Sequence, residues 1–130
     1  MKKNKREVLV YGSGGGRTFT AWLEQAAAKI AEYERQGRAA LNDEAAYRAI
    51  MREKALYLAG LYAEAQPYLQ TLEEKKRLYP ASRLQAFSAS AEQALNLGSV
   101  FYMSALLFPG DHQPGELNEL EKLALEMPRG

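Results

Sequence analysis

The stretch whose residue types come closest to a chemical site is VLVYGSGGGRT, residues 8–18. A glycine-rich loop between a strand and a helix turns backbone N–H groups and the positive helix end toward an anion, which is the order of a phosphate cradle. Two patterns test it. Against the dinucleotide pattern, Gly12 and Gly14 fit, but Arg17 stands at the sixth position. Against the P-loop pattern, Gly16-Arg17-Thr18 stands where Gly-Lys-Thr is required, and Tyr11 replaces the leading glycine. Both folds need a parallel sheet, and no second segment reads as a strand. A P-loop also needs an acidic residue on a later strand, whereas Asp43 and Asp111 fall in helix-cap and loop contexts. The loop therefore reads as a flexible hinge, residues 12–16, between an arm and a helical body.

Other chemistries fare no better. The single histidine, His112, lies beside Asp111 in the loop PGDHQPG, residues 109–115. One histidine without cysteine makes no transition-metal set. The lack of any cysteine excludes disulfides, thiolate sites and cysteine nucleophiles. A Ser-His-Asp triad needs a serine on an exposed, strained turn, but Ser82, Ser88, Ser90, Ser99 and Ser104 all fall in helical sequence. The carboxylate pairs Glu73/Glu74 and Glu116/Glu119 sit on faces that read as solvated, without the burial that tunes an acid or a base. The helical Glu-x-x-His element of di-iron bundles is missing. The expectation is a protein that is no enzyme and takes neither cofactor nor metal.

What remains is surface for binding. The chain has eight tyrosines and four phenylalanines, more than a small core buries fully, and both types concentrate in protein interfaces. Tyr62, Tyr68, Phe101, Tyr102 and Phe108 are the candidate partner contacts of the helical part. Residues 7–11, EVLVY, are β-branched and aromatic and read as a short strand. A lone strand needs a partner for its backbone, so Val8, Val10 and Tyr11 are candidate contacts of an arm that adds to a partner's sheet edge. Lys2, Lys3, Lys5, Arg6 and Arg17 make the first seventeen residues basic, against Glu7 alone. They carry the alternative reading, a small helical subunit or regulator of a nucleic-acid-handling complex that contacts phosphates through this arm. The net charge of +1 lacks the profile of a dedicated nucleic-acid binder.

The elements that position these residues read as helices. At 130 residues, 47% hydrophobic and 25% charged, the chain has the length and composition for one core. The expected organisation is a basic arm, short strand and hinge over residues 1–17 and one helical domain over residues 18–130. Four or five helices in a small bundle or a short stack of helical hairpins make the fold class all-α. Thr18 or Thr20 caps a first helix to about Gln36, with Gly37 as its stop. Asn42-Asp43 opens a second. In it Tyr47, Met51, Lys54, Leu58, Leu61, Ala65, Tyr68 and Leu72 alternate spacings of four and three, a heptad seam with one polar member, Lys54. Pro67 predicts a kink or break, followed by helix to about Leu78 whose polar end, residues 73–77, is solvated. Pro80 predicts the start of a third helix, running to about Leu107, in which Ala86, Ala89, Ser90, Ala94 and Gly98 invite a close neighbour. Gly98 marks a crossing or a break. The run 100–108 is apolar nearly all round and belongs either to the core or to a partner. A last helix covers about 115–127, with Leu117, Leu120, Ala124 and Met127 on one stripe.

Asn96-Leu97-Gly98 with the aromatics after it, and Leu123-Ala124-Leu125-Glu126-Met127-Pro128, resemble the two halves of a tetratricopeptide repeat, echoed between Ala59-Gly60 and Tyr79-Pro80. The glycine-to-proline intervals, 20 residues (60 to 80) and 30 (98 to 128), do not keep the 34-residue period. The resemblance implies stacked helical hairpins and nothing about activity. The chain shows no secretory signal and no run near the ~20 apolar residues of a membrane span, so a cytoplasmic protein with a protein partner or self-association, and no membrane, is expected.

Overall fold

A computed structural model describes residues 15–108 and 116–127. All regular structure among them is helical, in six segments: α1 (Gly15–Ala39), α2 (Glu44–Ala59), α3 (Leu61–Leu69), α4 (Glu74–Leu97), α5 (Val100–Ala105) and α6 (Glu119–Glu126). The expected strand, residues 7–11, and the loop 109–115 lie outside the described residues, as does the first part of the hinge. Gly15 and Gly16 open α1, so Thr18 and Thr20 lie inside the helix instead of capping it.

The first stripe is buried as its spacing predicts: Trp22, Leu23, Ala26, Ala27 and Ile30 are in the core, with Tyr33 half-buried at its edge. Gly37, however, does not stop α1. It is buried inside the helix where α2 comes close: a Cβ on it would stand 2.8 Å from Met51 Cε, the movable end of that side chain, and 3.4 Å from the Tyr47 ring. α1 ends two residues later. A tight turn leads to Asp43, whose carboxylate accepts from Ala46 N–H at 3.1 Å and caps α2.

The heptad seam forms as spaced. Met51, Lys54, Leu58, Leu61, Ala65 and Leu72 are buried, and Tyr47 and Tyr68 half-buried. The break falls at Gly60 and not at Pro67, which α3 carries within it. Its cause is Ser88 of α4. The Ser88 hydroxyl donates to Leu58 C=O at 2.7 Å and accepts from Tyr62 N–H at 3.0 Å. Those two groups bond each other in an uninterrupted helix, so the side chain is inserted into the ladder.

Pro80 likewise lies inside α4, buried, and does not open it. The helix begins at Glu74, and Arg77 in its first turns ties it back to the preceding segment: its guanidinium donates to Leu69 C=O at 3.1 Å, which also accepts from Leu72 N–H, and to Leu72 C=O at 2.9 Å. Of the run read as solvated, residues 73–76 are exposed and Arg77 is not. At Gly98 the backbone turns left-handed, φ 64°. Ser99 N–H reaches Ala94 C=O and Gly98 N–H reaches Leu95 C=O, a Schellman stop that favours glycine. The small-residue stripe faces outward except at Ala94: Ala86, Ala89, Ser90 and Gly98 are exposed, and α4 packs through Leu84, Ser88, Ala91 and Ala94 instead.

Residues 100–108 divide between the two expected fates. Met103, Leu106, Leu107 and Phe108 turn into the core, while Phe101 and Tyr102 are 74% and 53% exposed. Leu107 has φ 69°, a left-handed conformation costly for a non-glycine residue. Its carbonyl accepts from Glu119 N–H at 3.0 Å. α6 starts at a capping box between Asn118 and Glu121, and the buried Asn118 amide donates to Ala27 C=O at 3.4 Å. α6 packs on α1, α4 on α2 and α3, and α5 on α2 and α4. No helix among the described residues is long and apolar enough to cross a membrane.

Candidate functional site

The outer side of α4 carries Arg83, Phe87, Ser90, Ala94 and Leu97, again at spacings of four and three. Such spacing puts the five on one stripe. Ala94 within this stripe is buried. Among the described residues Tyr102 and Ala105 of α5, the segment 106–108 after it and Glu119 of α6 stand around the stripe, and the result is a cleft of about 590 Å³. Phe87, Leu106, Leu107 and Phe108 make its walls largely apolar. At one end Arg83 Nη2 meets Glu119 Oε1 at 2.8 Å, and the guanidinium lies over the Phe87 ring, 4.9 Å from its centroid. Lys122 also bonds Glu119, at 3.3 Å. At the other end stand Leu97, 60% exposed, and Phe101 with Tyr102, edge to face at 5.4 Å between centroids.

Beneath this face lies Lys54, fully buried. Its ammonium is bonded to the Glu34 carboxylate of α1 and to Ser104 C=O in the last turn of α5, and it sits 5.5 Å from the centre of the Phe108 ring. Burial pushes the lysine pKa down, and the charge and hydrogen bond of Glu34 oppose that shift. The cation fixes α5 to α1 and α2 from inside. It does not line the cleft.

On the far side of the core Trp22 Nε1–H donates to Glu64 at 2.8 Å and its ring stacks on Tyr68, 5.3 Å between centroids. Tyr57 lies against Tyr33 with Lys29 over its ring, 4.9 Å from the centroid. Burial, then the Glu64 charge and Tyr33, push the Tyr57 phenol up to about 12. An unfolded tyrosine ionises near pH 10. The stability gained by keeping Tyr57 protonated is therefore complete below pH 10 and lost as pH climbs to about 12. Tyr57→Phe is expected to lose less stability over that interval and to remove one tyrosinate from the ultraviolet absorbance step near pH 12. An unaltered step refutes the assignment.

Of the residues singled out by sequence, the structure brings Tyr102 and Phe108 to the cleft and sets Phe101 beside Tyr102. Tyr62 and Tyr68 lie on α3, away from it, Tyr68 against Trp22. Val8, Val10, Tyr11, Lys2, Lys3, Lys5 and Arg6 lie outside the described residues, and Arg17 is described only as backbone in the first turn of α1. Among the serines weighed for a triad, Ser82, Ser88 and Ser90 lie in α4, Ser99 caps α5 and Ser104 bonds Phe101 C=O. His112 is outside the described residues. No group of three or more metal-ligating side chains occurs among those described. Sequence reasoning missed Arg83 and Leu97 as cleft residues, although the spacing from Arg83 to Leu97 was present as a signal. Comparison with protein-family models, with curated proteins and with solved structures finds no match.

Proposed function

We propose that this chain is a non-enzymatic helical protein-binding module, an adaptor, chaperone or subunit, that docks a partner on the cleft between α4, α5 and the start of α6, with residues 1–12 as an additional docking arm. The observation that carries the reading is the apolar cleft rimmed by Leu97, Phe101 and Tyr102, three large apolar side chains left exposed within six residues of sequence. Aromatic anchors beside an apolar recess are the usual centre of a binding surface. Phe101 is 74% exposed beside Leu97 and Tyr102, and it is such clustering, not single exposure, that marks an interaction surface.

The buried and exposed residues around the cleft separate core packing from docking. Phe101→Ser and Leu97→Ser are expected to abolish association with any protein captured by the intact chain while changing stability by less than about 0.5 kcal/mol, as exposed sites do. Phe108→Ser, at a buried ring, is expected to cost roughly 3 kcal/mol by loss of core packing and to lower the melting temperature. Retention of the partner by both exposed variants rules the cleft out as the docking site.

A further inference from the structure

We infer that residues 99–106 form a flap that opens as one unit about Gly98 and Leu107 while the other helices stay folded, and that closing it buries the Lys54 ammonium. The flap stands whether or not a partner docks on the cleft.

What holds α5 differs in kind from what holds its neighbours. α2, α3, α4 and α6 each bury several side chains, whereas of the residues of α5 only Met103 is buried. Phe101, Tyr102 and Ala105 face water. Few buried contacts mark the parts of a fold that open ahead of the whole. The second anchor is polar: Lys54 Nζ, on α2, donates to Ser104 C=O at 3.1 Å. Water that enters on opening takes over that bond and rehydrates a cation whose burial is costly. The ion pair of Lys54 survives, because Glu34 belongs to α1. Opening gives up the Ser99 N–H bond to Ala94 C=O and the burial of Met103 and Leu106, far less than the core gives up on unfolding.

The ends of the segment supply the hinges. Gly98 stands just before Ser99 and Leu107 just after Leu106, and these two alone have positive φ among the described residues, 64° and 69°. Glycine moves between both signs of φ, so Gly98 turns without strain. Leu107 holds a conformation that is unfavourable for a residue with a side chain, and opening lets it relax. Strain of this kind is what switch segments store. The part between the hinges carries its own cap: Ser99 Oγ accepts from Tyr102 N–H at 3.2 Å, and Met103 N–H bonds Ser99 C=O at 3.0 Å. α5 therefore keeps its helical bonds as it moves.

Native-state hydrogen exchange of the full chain in low urea is the first test. Met103 N–H and Leu106 N–H, bonded to Ser99 C=O and Met103 C=O, are expected to share one opening. It should be roughly 100-fold or more commoner than the opening of Leu58, Leu84 and Ala91 N–H. Ser88→Ala weakens the junction of α2 and α3 outside the flap, so it should speed exchange at Leu58 and Ala91 and leave Met103 and Leu106 unchanged. The second test uses the absence of cysteine from the chain. The thiol of Met103→Cys is expected to react with a soluble thiol reagent far faster than the thiol of Leu84→Cys. Adding Gly98→Ala should raise the Met103→Cys rate further, by roughly tenfold. A Cβ at Gly98 meets no atom within 4 Å, so only the φ of the closed form is penalised. Equal protection of the two sets of amides overturns the flap, as does their joint acceleration by Ser88→Ala or equal labelling of the two thiols. A Met103→Cys rate that Gly98→Ala leaves unchanged overturns the hinge.

Discussion

Lys54→Met is expected to destabilise the fold by about 3 kcal/mol, and Lys54→Ala by rather more. Removing one member of a buried pair leaves the other uncompensated, which typically costs 3–5 kcal/mol. Here the stranded groups are the Glu34 carboxylate, whose side chain is only 13% exposed, and Ser104 C=O. Methionine keeps the length and apolar stem of lysine, so little cavity is added and the loss falls at the low end. Alanine adds a void against Phe108. The pair itself need not be favourable relative to an apolar one, because both charges were taken out of water to make it. Lys54→Met with Glu34→Gln is therefore expected to recover most of the loss, a strongly non-additive cycle. Urea unfolding of the four proteins measures it.

The pH dependence carries a sign. Burial holds the lysine pKa down in the folded chain, against about 10.4 when unfolded. Between the depressed value and 10.4 the unfolded chain binds more protons, so this group makes stability rise with pH there. The stability gap between the native chain and Lys54→Met should widen across that interval. A methionine variant as stable as the native chain, with no gain from the second substitution, ends the account.

Lys54 also shows what the sequence carries about this fold. Its place in a four-three seam from Tyr47 to Leu72 is enough to predict burial, and Met51, Leu58, Leu61 and Ala65 follow it into the core. Local signals were equally legible: Asn42-Asp43 as a helix start, where Asp43 is the cap, and Gly98 as a crossing or a break, of which the break is what forms. The errors came where a local rule met a distant side chain. Pro67 and Pro80 predict boundaries because each removes a ladder bond. The first break falls instead at Gly60, where the Ser88 hydroxyl, 30 residues from Leu58, enters the ladder, and α4 starts at Glu74, six residues before Pro80. The small stripe of α4 allowed a close neighbour but did not require one, and the neighbour came to the Leu84 and Ala91 side. The cleft was half legible. The spacing of Arg83, Phe87, Ser90, Ala94 and Leu97 makes a stripe, but only the folded positions of α5 and Glu119 show that it is walled.

The same Ser88 carries the second large prediction. Ser88→Ala is expected to cost about 2 kcal/mol. One hydroxyl here serves two backbone groups, donating to Leu58 C=O and accepting from Tyr62 N–H. An unsatisfied buried donor or acceptor costs about 1–3 kcal/mol. Two such losses set an upper bound above 2, but the pair has a partial escape: Tyr62 N–H and Leu58 C=O are four residues apart and can close on each other if α2 and α3 straighten into one helix. Straightening is resisted because Leu61, Ala65 and Leu69 are already packed on the far side of the break. The compromise is a weakened junction and not a rebuilt helix. Two measurements separate this from a plain packing loss. The urea midpoint should fall, and the Tyr62 amide should exchange its hydrogen much faster than the amides of Leu84 or Ala91 on the same contact. Adding Gly60→Ala to Ser88→Ala tests the escape directly. Gly60 meets no atom closer than 3.9 Å at its Cβ position, and alanine favours continuous helix by about 1 kcal/mol. The second substitution should therefore restore part of the stability lost to the first. An unprotected Tyr62 amide in the native chain, or full stability in Ser88→Ala, refutes the bridge.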